Sequence, residues 1–136
     1  MTLRIGALKL KAQLYCGDEA AIGPGKADLL EAITREGSIS AAGRALGMSY
    51  RRTWLLVDSM NRCWVDRLVE ATPGGGRNKG ARLTERGHTI LAAYRALEAQ
   101  LVAAVQEELD VLTAALRDEP LPPAAGTEAP VSDRQI

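Results

Sequence analysis

The chain contains few of the residues that build metal centres, disulfides and membrane spans. Its 136 residues include two cysteines, Cys16 and Cys63, which form no CxxC pair, and one histidine, His88. Neither a signal peptide nor a long apolar run is evident in the sequence. We therefore expect a cytoplasmic, reduced protein without a metal ion or other cofactor, in which the cysteines are small core residues and His88 is structural.

Motifs of common enzymes are also missing. No paired carboxylates, His/Cys pair or set of metal ligands stands at a usable spacing, so we predict a protein that is not an enzyme and has no catalytic residues. The glycine-rich segment 73–80 does not match a nucleotide-binding loop. Such a loop needs a serine or threonine directly after its lysine, and here Lys79 is followed by Gly80.

The formal net charge is zero, but charge is unevenly distributed. Between Arg44 and Arg86 the sequence has nine basic and four acidic residues, whereas from Ala96 onward it has eight acidic and two basic residues. A basic cluster is typical of a surface that contacts nucleic-acid phosphates. The pattern therefore predicts such a surface in the middle of the chain.

The segment 37–61, GSISAAGRALGMSYRRTWLLVDSMN, predicts two short helices joined by a tight turn. Ser38 or Ser40 can cap the first helix, Gly47 can end it, and Ser49 can cap the second. The side chains expected between these helices and the body of the domain are Leu46, Met48, Thr53, Val57 and Met60. This arrangement is a helix-turn-helix.

The first turn of the second helix is the predicted DNA-reading surface. Tyr50, Arg51 and Arg52 would be exposed there, in the part of a recognition helix that enters the major groove. Two plainer interpretations stay open, since the arginines could be solvated surface charges and the Tyr50 ring could stack on a sugar or pack on the first helix. Three serines lie beside helix N-terminal amides, namely Ser38, Ser40 and Ser49. Each could bind a backbone phosphate or could act only as a helix cap.

Strand patterns flank the helices. Alternation from Leu8 to Leu14 predicts one half-buried strand, which turns at Gly17 and returns near residues 20–22 to form an N-terminal hairpin. A helix follows and ends at Gly37. Short strands at 68–70 and 81–83 predict a wing, and the wing residues expected to contact phosphates or a minor-groove edge are Arg77, Asn78 and Lys79. Two tryptophans, Trp54 and Trp64, are expected in the core or an interface.

A long helix capped by Thr84 is predicted next, with apolar residues at steps of three and four from Ile90 to Leu116. About 30 residues would span roughly 45 Å, more than a domain of this size covers alone. We therefore expect a homodimer, with an interface formed by Tyr94, Leu97, Leu101, Val105 and Leu112. The alternative is a helix that folds back on its own body.

These residues also resemble a known family. GSIS, the GMSY turn, the tryptophan and MN of the second helix, the glycine-rich wing and LT before the long helix are similar to the winged helix-turn-helix domain of the molybdate-responsive ModE-type regulators, and more distantly to the LysR-type domain. The resemblance covers residues 8–87, and the wing departs from it where 77–79 interrupt the glycine run. It implies a link to molybdenum, tungsten or metalloenzyme genes. The family's molybdate-binding domains lie beyond this region, so we expect this chain to bind no molybdate.

We therefore predict a mostly α, α+β fold. It comprises a winged helix-turn-helix DNA-binding domain with an N-terminal β-hairpin (residues 1–83), a long dimerisation helix (84–116) and a disordered acidic, proline-rich tail (117–136). The predicted function is a homodimeric, sequence-specific transcriptional regulator on a roughly palindromic double-stranded DNA site. The alternative is a protein-interaction adaptor that keeps the fold but sequesters another regulator.

Overall fold

A computed structural model describes residues 3–73 and 80–124. Three two-stranded antiparallel hairpins and four helices occur within these ranges. In chain order the elements are β1 (Leu3–Ile5), β2 (Leu8–Leu10), β3 (Leu14–Cys16), β4 (Glu19–Ile22), α1 (Pro24–Glu36), α2 (Ile39–Ala45), α3 (Tyr50–Cys63), β5 (Val69–Ala71), β6 (Ala81–Leu83) and α4 (Glu85–Ala114). The α+β, winged helix-turn-helix fold expected from the sequence is confirmed.

The N-terminal region differs from the prediction, because it forms two hairpins rather than one. Gly6 adopts a left-handed turn (φ 61°), so β2 pairs back on β1, and β3 pairs separately with β4. Residues 11–13 belong to no strand, and the Ala12 carbonyl instead accepts a hydrogen bond from the Tyr94 hydroxyl at 2.8 Å. The alternation therefore breaks, and Leu14 is exposed rather than inward-facing.

The core lies between α1, the helix-turn-helix and the base of the wing. Its largest fully buried apolar side chains are Leu29, Leu30, Ile33, Met60 and Leu68. Helix α1 is central to this packing and contacts the other three helices as well as β4 and β6. It ends where predicted, at Gly37, whose φ of 80° is accessible to glycine at little cost.

Helix α4 begins at the base of the wing and runs for 30 residues to Ala114. Thr84 caps it, as expected: its Oγ1 accepts from the Gly87 N–H at 2.9 Å and donates to the Arg67 carbonyl. A Cβ on Gly87 would lie 2.2 Å from the Leu68 carbonyl oxygen, so only glycine allows this close approach. The helix stops short of Leu116, which had been placed on it, and no described helix is long and apolar enough to cross a membrane.

Candidate nucleic-acid interface

The helix-turn-helix is held by the predicted capping residues. Ser38 Oγ accepts from the Ala41 N–H at 3.0 Å, so Ser38 rather than Ser40 is the cap of α2. Gly47 has a φ of 71° just after that helix, and Ser49 Oγ accepts from the N–H at the third position of α3 at 3.1 Å. Local backbone rules thus determine where both helices begin and how the chain turns between them.

One side-chain contact sets the distance between α2 and α3. A Cβ on Gly43 would lie 2.1 Å from Thr53 Oγ1 and 3.0 Å from both Thr53 Cβ and Cγ2. Thr53 is fully buried, and its hydroxyl donates to the Ser49 carbonyl at 2.7 Å. Glycine on α2 therefore lets a β-branched residue of α3 sit directly against the backbone of the preceding helix.

The exposed start of α3 is more apolar than the sequence suggested. Tyr50 is 67% exposed, Leu55 54% and Trp54 43%, and the Tyr50 and Trp54 ring centroids are 6.0 Å apart. Trp54 does not lie in the core, because the body of the domain does not cover this flank of α3, and its alternative place in an interface stays a prediction. Trp64 matches its expected role better: it is half-buried, and its Nε1–H donates to the Ala21 carbonyl at 3.2 Å.

The predicted DNA-contacting residues of α3 lie on different flanks of the helix. Tyr50 and Trp54 border a cleft of about 360 Å³ between α3 and the wing, together with Ser40 and Arg67. Arg52 borders a second cleft of about 200 Å³, on the other flank, with residues of α1 and of the segment before it, including Lys11 and Lys26. Ser40 therefore lies near Tyr50, whereas Arg52 does not.

The basic residues of this region fall into two groups. Three are paired with carboxylates: Arg62 with Asp58 and Glu19 (both 2.8 Å), Arg82 with Glu70 (2.9 Å) and Arg86 with Asp66 (3.0 Å). Within the described part of residues 44–86, the other four arginines are exposed and form no such pair, and these are Arg44, Arg51, Arg52 and Arg67. Two of these four unpaired arginines, Arg51 and Arg52, lie in the first turn of α3. Arg44 and Arg67 were not singled out from the sequence, since their pairing could be judged only in the fold.

The wing is attached to the recognition helix by one amide. Asn61 Oδ1 accepts from the backbone N–H groups of Leu68 (2.9 Å) and Val69 (3.1 Å), and Asn61 Nδ2 donates to the Val69 carbonyl at 3.2 Å. These bonds fix β5 against α3. The loop residues expected to contact DNA, Arg77, Asn78 and Lys79, lie outside the described residues.

The expected interface residues of α4 do not form one uniform surface. Leu97 is 48% exposed and Leu112 67%, and Leu101 and Val105 are half-buried. Tyr94 is 5% exposed and packs mainly in the chain's own core, although it also lines the cleft that Leu97 borders. Burial, and secondarily the Glu98 carboxylate, raises the pKa of Tyr94 to about 12. It can therefore offer little area to a partner, and its place in a dimer interface stays a prediction.

An ion-pair cluster attaches α4 to α1. Arg95 donates to Asp28 (2.7 Å), to both carboxylate oxygens of Glu31 (2.9 and 3.0 Å) and to Glu98 (2.8 Å). The hydrogen bonds from Arg95 lower the pKa of the Glu31 carboxyl. This cluster joins α4 to α1, and its role is structural.

The two cysteines are not the core residues that were expected, and His88, expected to be structural, lies on the surface. Cys16 and His88 are exposed, and Cys63, at the end of α3, is half-buried. Burial raises the pKa of the Cys63 thiol, with a smaller contribution from Cys16. No group of three His, Cys, Asp or Glu side chains suited to hold a metal ion occurs among the residues that the structure describes.

Sequence comparisons with known proteins agree with the helix-turn-helix described above. Residues 26–88 match the family described as bacterial regulatory helix-turn-helix protein, lysR family. The chain is 40% identical over 84 residues to the molybdenum-pterin-binding protein MopA of Rhodobacter capsulatus, covering 62% of this chain and 32% of that protein. It is 43% identical over 77 residues to the molybdenum transport protein ModE of Azotobacter vinelandii, covering 57% of this chain and 28% of that protein.

A third relative aligns over more of the chain. The DNA-binding transcriptional dual regulator ModE of Escherichia coli (strain K12) is 33% identical over 107 residues, covering 78% of this chain and 37% of that regulator. The matched part therefore spans about a third of the length of these relatives. What aligns is the region that carries the helix-turn-helix, the wing and the start of α4. The chain therefore carries the winged helix-turn-helix DNA-binding domain of the ModE-type regulators, which is related to the lysR family.

Proposed function

We propose that the protein is a homodimeric, cytoplasmic transcriptional regulator that binds a roughly palindromic site in double-stranded DNA. The observation that carries this proposal is the exposed first turn of α3, which combines a Ser49 cap with the unpaired guanidinium groups of Arg51 and Arg52 beside a wing. A helix start of this kind presents positive charge and hydrogen-bond donors to a groove lined by phosphates.

The residues of this surface are proposed to divide into two roles. Arg51, on the outermost face of α3, reaches base edges, whereas Arg52 and the adjacent basic cleft contact a backbone phosphate. Ser40 and the wing residues Arg77, Asn78 and Lys79 supply further phosphate or minor-groove contacts. The hydroxyl oxygens of Ser38 and Ser49 accept hydrogen bonds from helix N-terminal N–H groups, so they act as helix caps. Their proposed part in DNA binding is therefore limited to orienting the N-terminal amides of α2 and α3.

A salt-titrated DNA-binding measurement tests the proposal. Binding that neutralises several phosphates weakens steeply as salt rises, with a log–log slope of about −0.9 per phosphate contact. An adaptor that sequesters another regulator would show no DNA binding with such a slope. Absence of salt-dependent binding to any duplex in a pool of random fragments would therefore refute the DNA-binding function.

Arginine variants separate base contacts from phosphate contacts. Arg51→Ala should weaken binding to a selected site by about 1 to 3 kcal/mol and have a smaller effect on random DNA, because a base contact carries sequence information. Arg52→Ala should weaken both alike and reduce the salt slope by about one unit. Arg117→Ala, three residues beyond the end of α4, is the matched control and should change neither.

The dimer is proposed on the exposed leucines of α4 and an adjoining apolar cleft. Leu14 and Leu97 are both about half exposed beside this cleft, which has a volume of about 350 Å³ and is lined mainly by carbon. Covering such a surface removes apolar area from water, at about 25 cal/mol per Å². Leu97→Glu should then give monomers in light scattering, whereas Ala103→Glu, at an exposed position on the other side of α4, should leave the dimer intact. Wild-type protein that stays monomeric at tens of micromolar would refute this assembly.

The regulated genes are proposed to concern molybdenum, tungsten or metalloenzymes, because the names of the relatives refer to molybdenum. Sequencing the genomic fragments that the purified protein selects tests this. The chain itself is proposed to bind no molybdate, since eight acidic residues against two basic ones after residue 95 repel a doubly charged anion. A rise in melting temperature with molybdate that equal ionic strength of sulfate does not produce would contradict it.

A further inference from the structure

The exposed side of the recognition helix carries an apolar patch that the proposed phosphate and hydrogen-bond contacts leave unused. We propose that this patch, formed by Tyr50, Trp54 and Leu55 and here called the methyl-reading patch, recognises the 5-methyl groups of thymines in the major groove. The inference rests on the proposed DNA-binding function and names the base chemistry that the same surface selects.

The position of the patch points to DNA as its occupant. All three residues lie within the first six residues of α3, directly after the Ser49 cap, and Arg51 lies between them on the exposed face. The guanidinium groups of Arg51, Arg52 and Arg67 form no ion pair in the described structure. The first two share a helical turn with Tyr50, and Arg67 lines the cleft that Tyr50 and Trp54 border, whereas the nearby carboxylates Asp58 and Glu70 are paired with other arginines. Double-stranded DNA complements this apolar and basic surface, because it is a polyanion with apolar groups in its major groove.

The chemistry of the major groove narrows the target further. The base edges there present hydrogen-bond acceptors and donors, and the thymine methyl is the apolar group among them. Stacking between bases is not available to a side chain that approaches an intact duplex from the major groove. The Trp54 ring is also held by its neighbour, since it meets Tyr50 at an interplanar angle of 59° with the centroids 6.0 Å apart. A ring fixed in this way offers an apolar edge to a methyl group.

A protein partner fits the patch less well. A stable protein interface buries about 800 Å² on each side, and three partly exposed side chains supply only a fraction of that area. The flanking residues would add unpaired arginines to the interface, which are costly to bury without carboxylates opposite them. A thymine methyl needs only local contact and leaves the arginines at the phosphates.

A thymine-to-uracil scan tests the proposal, because it removes one methyl and leaves base pairing intact. With a site selected from random fragments, wild-type protein should lose about fourfold in affinity at each thymine whose methyl the patch buries. At one or more of these positions, Trp54→Ala should bind the site that carries thymine and the site that carries uracil with equal affinity. Leu55→Ala provides a second, exposed position in case the tryptophan variant does not fold. Val65→Ala is the matched control, since it removes an 86% exposed apolar side chain beyond the far end of α3 and should keep the full uracil penalty.

The outcomes separate this inference from the proposed function. If wild-type protein binds no duplex in a salt-dependent manner, the proposed DNA-binding function itself is refuted. If it binds in that manner but loses no affinity when any thymine is replaced by uracil, only the methyl-reading role is refuted. A patch that docks a protein would give this second result. Retention of the full penalty by both Trp54→Ala and Leu55→Ala would also overturn the inference.

Discussion

The close contact between α2 and α3 makes Gly43 a sensitive position of the DNA-binding domain. In Gly43→Ala the new methyl would lie 2.1 Å from Thr53 Oγ1, and ordinary van der Waals contact begins at 3.4 Å. The threonine is fully buried and β-branched, and its hydroxyl is already bonded to a backbone carbonyl, so no flexible side-chain end can move aside. The two helices must therefore separate.

The expected cost of Gly43→Ala is about 2 to 3 kcal/mol of unfolding free energy, in the upper part of the usual range of about 1 to 3 kcal/mol for overpacking a core. For a domain of this size that lowers the melting temperature by roughly 6 to 15 °C, measured by circular dichroism. Gly25→Ala is the control, since a Cβ at Gly25 meets nothing within 4 Å, and it should not lower the midpoint, because alanine favours a helix by up to about 1 kcal/mol over glycine.

A double-mutant cycle attributes the loss to this contact. Thr53→Ala removes Oγ1 and Cγ2, and in that background Gly43→Ala should cost less than about 1 kcal/mol, which gives a coupling energy of roughly 1 to 2 kcal/mol. An unchanged melting temperature for the single Gly43→Ala variant, or a cost that is the same in both backgrounds, would show that the helices are not held by this approach.

Three further predictions concern stability. Arg95 lowers the pKa of Glu31 below its ordinary value of 4.5, so this pair stabilises the fold above about pH 4.5 and is lost as pH falls through the folded pKa; wild-type and Arg95→Gln melting temperatures should differ less at about pH 3 than at pH 7. Asn61→Ala should cost about 2 kcal/mol or more in urea unfolding because it leaves two backbone N–H groups without their acceptor, whereas Asn61→Asp keeps the acceptor and should cost less. Ser38→Ala should cost about 1 kcal/mol and Ser40→Ala almost nothing, and equal losses would contradict the assignment of the cap.

Features governed by neighbouring residues were predictable from the sequence. Ser49 and Thr84 cap their helices, and Gly37 and Gly47 adopt the left-handed conformation after theirs, because a few adjacent backbone groups decide these conformations. The wing strands were also placed within a residue. Because these caps and turns follow from neighbouring residues, the sequence alone predicts the helix-turn-helix.

Features that depend on distant residues were not predictable. The single expected N-terminal strand is broken where a hydroxyl 82 residues away bonds the Ala12 carbonyl. Which arginines are free for DNA also depends on the fold, since Arg62 is neutralised partly by Glu19, 43 residues earlier in the chain. Trp54 was assigned to the core or an interface because tryptophans commonly lie there, and only the packing of α2 and the wing shows that the core does not cover this side of α3.

The close approach at Gly87 joins the start of α4 directly to the base of the wing. Its first turn is bonded through Thr84 to the backbone of residues 67 and 68, and no side chain separates it from the start of β5. Farther along, Arg95 binds Asp28 and Glu31 of α1, so the first three turns of α4 are held at two places. The helix extends about 45 Å in all. In the proposed dimer, the distance between the two recognition helices would therefore be set by the direction that these two attachments give to α4.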